Sequence, residues 1–177
     1  NPEKIRNVFL GFNDGLVEIL GAVSGFFAAF GEAASVLVAS LTVAVAGSLS
    51  MAAGVFASTS SEKEVVAMER GKARFLGAER ETAPDEERPL SLSLVVGVSY
   101  FIGAMVPVVP VLFGARSIAL SVLAGGTMAV LVSLVLAYLS GMDVRERIAM
   151  NLLIIALAVG VTYAIGLAAK SLWGIAV

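Results

Sequence analysis

Residues 11–25 read GFNDGLVEILGAVSG. They lie inside an apolar block that runs from residue 8 to residue 30, long enough to cross ~30 Å of hydrocarbon at ~1.5 Å per helical residue. The block nevertheless carries Asn13, Asp14 and Glu18. Its reading depends on the rest of the chain. Hydrophobic residues make up 58% of the 177 residues, against ~45–50% in an ordinary soluble domain. The excess falls into long blocks separated by short charged stretches, the pattern of a chain that crosses a membrane several times. The block at 8–30 is then a membrane span with acids inside it.

Four further blocks follow, at residues 36–59, 90–113, 117–139 and 148–173. In lipid each must satisfy its own backbone hydrogen bonds, so each is read as a helix. The expected fold is an all-α integral membrane protein of five transmembrane helices. Residues 1–60 hold the first two, 61–89 form a charged extension and loop, and 90–177 hold the last three. GEAAS at 31–35 breaks the first block from the second, and PVVP at 107–110 is expected to kink the third. Five crossings place the termini on opposite sides. With the N-terminus cytoplasmic, ten of the twelve Lys and Arg residues lie inside and only Arg116 and Lys170 outside, as the positive-inside rule demands. The chain begins at Asn1 rather than Met, which leaves room for an upstream segment. The first block is too long for a signal peptide and carries acids. Glycines at four-residue spacing, Gly11 with Gly15 and Gly21 with Gly25, read as places where helices approach closely.

The chain has no Cys and no His. Disulfides, thiol nucleophiles and histidine bases are excluded. So is a serine hydrolase with a histidine base, and an aspartyl dyad lacks a second intramembrane Asp. No enzyme activity, no bound cofactor and no nucleic-acid partner are expected.

Asp14 and Glu18 are four residues apart and share a helical face. A carboxylate at mid-bilayer costs at least ~2.5–3.5 kcal/mol. No Lys or Arg lies well inside a span to pair with it. Either the acids are protonated and bonded to a neighbouring helix, or they face an aqueous path or an ion. The second reading gains from depth. Asp14 lies ~9 Å from the inner face, and Met51, on the descending second span, ~12 Å from it. Glu18 falls level with Gly47 and Ser48. If the first two spans pack together, Asn13, Asp14, Glu18, Ser50 and Met51 line one path. Carboxylates suit divalent cations and protons, and a thioether shifts preference toward later transition metals. A lone Met is otherwise filler.

The stretch 61–89 mixes eight acids with six bases. The second helix is expected to continue beyond the membrane to about Gly71 or Gly77, with TAPDEERP at 82–89 as a turn. Glu64 and Met68 then share a face. Glu62, Glu64, Met68 and Glu69 are candidate metal-collecting residues, set against a plain solvated helix.

NDGLVEILGAVSG (13–25), GSLSMAAGVFASTSSEKEV (47–65), YFIGAMVPVVPVL (100–112) and ERIAMNLLIIALAVGVTYAIG (146–166) together resemble the vacuolar iron transporter family. The resemblance implies a five-helix homodimer in the lipid bilayer that exports Fe²⁺, and often Mn²⁺, from the cytosol in exchange for protons. It also implies that Asp14 and Met51 stand on the transport pathway. Two departures accompany it. Val55 follows SMAAG where relatives carry a polar or acidic residue, and Glu18 stands where many have Ser or Thr, as if a lost carboxylate were supplied from the other helix. The segment 61–89 is also short for the cytoplasmic metal-binding module of plant members. The alternative is a non-transporting membrane module that docks an iron-storage partner. The expected location is the cell membrane of a prokaryote.

Overall fold

The structure, a computed structural model, describes residues 2–77 and 88–174. It contains five helices: α1 (Pro2–Phe30), α2 (Ala33–Phe75), α3 (Pro89–Leu112), α4 (Ile118–Ser140) and α5 (Val144–Trp173). Each is long and apolar enough to span a membrane, so the expected all-α architecture stands. α2 does run on beyond its apolar part, to Phe75. The turn expected at 82–89 falls largely outside the described residues.

Three boundaries differ from the sequence reading. α1 begins at Pro2 rather than near residue 8, since a helix can run on past its apolar part. The break after α1 is confined to Gly31 and Glu32, and α2 begins at Ala33. Gly31 adopts φ +71°, a left-handed conformation that favours glycine. The alanines beyond it are good helix formers and are absorbed into α2. α5 begins at Val144 rather than near residue 148, because the Asp143 carboxylate caps it, accepting from the Arg145 amide at 2.8 Å and the Glu146 amide at 3.4 Å. α3 is one continuous helix through Pro107 and Pro110, and Ser121 of α4 donates to the Pro107 carbonyl at 2.8 Å.

α1 is the central helix and packs against all four others, whereas α2 touches only α1 and α3 among the described residues. The approach of α1 to α3 depends on glycine. A Cβ on Gly15 would overlap the Tyr100 backbone, and one on Gly103 would overlap the Phe12 carbonyl. On the other side Gly21 and Gly25 of α1 face Ala158 and Thr162 of α5. These glycines are packing residues, as their spacing suggested. Gly54 meets nothing within 4 Å.

Candidate functional site

Asn7, Leu10, Gly11, Asn13, Asp14 and Glu18 of α1 line an open groove. The facing wall is α2 from Thr42 to Glu62, and Leu92, Val96 and Tyr100 of α3 form its floor. The groove encloses about 1180 Å³. It receives no residue from α4 or α5. At 1.5 Å per residue it follows α2 for about 30 Å. One end lies where Asn7, Ser58, Thr59 and Glu62 gather. Its other end stops at Glu18, Thr42 and Val43. Beyond that point an apolar cluster fills the bundle. Ile19, Val23, Val36, Val108 and Val111 are buried there, and Phe26, Phe27, Leu37 and Leu41 pack around them. The groove thus ends against apolar packing on its Glu18 side.

Asp14, Glu18 and Ser50 are exposed along the groove, and Met51 is half-buried in its wall. Asn13 also lines it. The residues assigned to one path by depth thus share one cavity. Of the four candidates on the extension, Glu62 reaches the groove. Glu64, Met68 and Glu69 do not; they are exposed farther along α2, Met68 by 60%. Among the described residues no three carboxylates come together in a metal-holding group. The donor set within the span is two carboxylates and a thioether.

Tyr100 joins them, a residue to which the sequence reading gave no role. It is 1% exposed, yet its hydroxyl is buried with no hydrogen-bond partner of good geometry. The oxygen lies near enough to Glu18 for the two to interact. It occupies the space over Gly47, where any Cβ would collide with it. A buried, unpaired hydroxyl costs ~1–3 kcal/mol, so its presence beside the acids calls for a function. One signal was available in the sequence. Tyr in membrane helices concentrates at the two interfaces, and Tyr100 sits in the middle of a span.

Asn151 of α5 was also missed. It is 6% exposed and pairs with Asn13 through both amide groups. Its signal was a lone carboxamide within an apolar span, costly in lipid unless bonded.

A model of the VIT family matches residues 5–83 and 73–167, which together cover most of the chain. The chain belongs to the VIT family. Among the relatives, VIT-like transporter 1a of Glycine max is 34% identical over 116 residues, 62% of this chain and 56% of that protein. VIT-like transporter 1b of the same plant is 33% identical over 117 residues, 62% and 50% of the two chains. Vacuolar iron transporter homolog 1 of Oryza sativa subsp. japonica is 33% identical over 106 residues, 58% and 45%. The chain spans about half the length of these curated relatives. They are plant proteins, and one is named for the vacuole. They lend no support to a prokaryotic plasma membrane.

Within this VIT-family fold the two departures from the family's pattern separate. Val55 and Glu18 line the same groove, but Glu18 approaches Tyr100, whose hydroxyl rests over Gly47. Val55 is eight residues farther along α2, or ~12 Å.

Proposed function

We propose that this VIT-family protein carries a divalent transition metal, Fe²⁺ first and Mn²⁺ second, across the membrane in exchange for protons. One observation carries the reading: a groove that brings Asp14, Glu18, Met51 and the buried Tyr100 hydroxyl together within the spans and ends against an apolar cluster. Hard carboxylate oxygens and a soft thioether suit such a cation. The absence of any three-carboxylate cage among the described residues suits passage rather than storage.

The distribution of basic residues supports an N-terminus in the cytosol. The Glu62 end of the groove then faces the cytosol, where metal enters, and the apolar cluster is cast as the outer gate. Glu18, at that end, is cast as the proton carrier. Asp14 and Glu18 are exposed in the single chain. Exposure of a carboxylate to hydrocarbon is costly, and a second copy laid over the groove would remove that cost. This supports a homodimer with the two grooves facing. The chain lacks cysteine, so a single cysteine introduced at Ala46 or Ala53 should cross-link between copies in the membrane. Failure at both positions counts against this interface.

The deciding experiment is uptake of Fe²⁺ and Mn²⁺ into proteoliposomes with and without a pH gradient. Expected are metal entry that the gradient accelerates and proton movement in the opposite direction. Absence of flux from well-folded protein would favour the docking module instead.

A further inference from the structure

The groove has one side-chain hydrogen-bonded link, among the described residues, to the two helices that do not line it. Asn13 Nδ2 donates to Asn151 Oδ1 at 3.2 Å, and Asn151 Nδ2 donates to Asn13 Oδ1 at 2.8 Å. Asn13 belongs to the groove and is the neighbour of Asp14 in sequence. Asn151 belongs to α5 and is buried.

A reciprocal amide pair alone does not fix which way round it lies, because both amides could turn over together and keep both bonds. Two groups of α4 break that symmetry. Ser133 donates its hydroxyl proton to the Ala129 carbonyl at 2.7 Å, so toward Asn151 it can only accept. The Asn151 amide nitrogen lies 2.9 Å from that hydroxyl and 3.4 Å from the Ala129 carbonyl. Both neighbours require an N–H. One hydrogen of Asn151 is thereby shared between them, and the other closes the pair with Asn13. Every donor of Asn151 is used. Asn13 keeps one N–H and one lone pair uncommitted within the pair.

We propose that Asn151 is a positioning residue for metal transport. Acting through Asn13, it fixes the rotation of α1 about its axis and so the direction in which Asp14 and Glu18 meet the metal. The lever is large. A turn of about 20° swings a carboxylate at the helix's ~5–6 Å outer radius by about 2 Å, comparable to a whole metal–oxygen bond length. α4 and α5 thereby control a site to which they contribute no lining residue. This inference rests on the transport reading above.

The test measures Mn²⁺ flux against Mn²⁺ concentration in proteoliposomes, with thermal stability followed in parallel. Asn151→Leu should raise the half-maximal concentration by up to roughly 10-fold, the lower end of the effect of removing an outer partner from a metal ligand, because Asn151 reaches the ligands only through Asn13. Ser133→Ala keeps the pair but loosens its orientation, and should shift the same quantity less. Asn13→Leu should match Asn151→Leu, and the double variant should be no worse than either, because the effect passes through Asn13. If Asn151→Leu lowers stability while its half-maximal concentration stays at the wild-type value, the amides are only glue and the proposal falls. If Asn151→Leu does not fold, Ser133→Ala decides alone: an unchanged half-maximal concentration overturns the proposal. A wild-type protein that moves no metal removes the transport reading and this inference together, whereas wild-type flux with indifferent variants removes only the latter.

Discussion

The two sides of α1 treat polar groups in opposite ways. Toward α4 and α5 its polar contacts are bonded. Ser24 donates to the Val159 carbonyl at 3.2 Å, Thr162 donates to the Gly21 carbonyl at 2.6 Å, and Asn13 pairs with Asn151. Toward α2 and α3 they are not. Asp14 and Glu18 have no basic partner among the described residues, and the Tyr100 hydroxyl, buried beside Glu18, makes no hydrogen bond of good geometry. Unmet polar groups inside a membrane are expensive. Where one helix satisfies every such group on one side and leaves them open on the other, the open side is the one kept for a ligand, and the bonded side holds the helix still.

The sharpest way to break this contrast is Asp14→Asn. It should reduce metal flux to the level of empty vesicles while the protein remains folded, since among the described residues the acid makes no hydrogen bond that its loss would disturb. Wild-type flux would remove Asp14 from the pathway. Tyr100→Phe should lower flux several-fold yet leave thermal stability equal or higher, because the hydroxyl it deletes is unpaired when the groove is empty. A marked loss of stability would show that the phenol is structural. Met51→Leu keeps volume at a cost usually under ~1.5 kcal/mol. It should weaken the preference for Fe²⁺ and Mn²⁺ over Mg²⁺ and Ca²⁺ in a competition assay, and an unchanged series returns Met51 to filler.

Smaller effects sharpen the same boundary. Glu62→Gln should weaken uptake at low metal concentration and spare the maximal rate, because its charge sits at the end of the groove and concentrates cations there. Glu64→Gln with Glu69→Gln should do less, since neither reaches the groove. Equal effects from both variants would mean general steering by the extension, which high salt should abolish. On the bonded side, away from the Asn13–Asn151 pair, Thr162→Val should cost about 0.5–1 kcal/mol of stability and leave the half-maximal metal concentration alone. A transport defect there would mean that the orientation of α1 does not pass through that pair in particular.

Much of the architecture was legible because the bilayer leaves few choices. A chain in lipid satisfies its backbone within helices of fixed rise, so apolar length alone located five helices. The same rise placed Asp14 level with Met51 and Glu18 level with Gly47, and these residues do share the groove. The end of α5 nearest Asp143 was misjudged by four residues, since hydropathy marks the membrane's edge whereas the cap marks the helix's.

The sequence by itself determined the helices, the face that carries the acids and the absence of an intramembrane base. Only the tertiary structure decided which polar groups find partners. Asn13 and Asn151 are 138 residues apart, and Tyr100 meets α2 where Gly47 leaves room for it. In water a helix announces its buried face by being apolar there. In lipid both the buried and the outward faces are apolar, so periodicity does not say which helix lies against which. That is settled by glycines that let backbones touch, and by the few polar side chains those contacts bring within reach of one another.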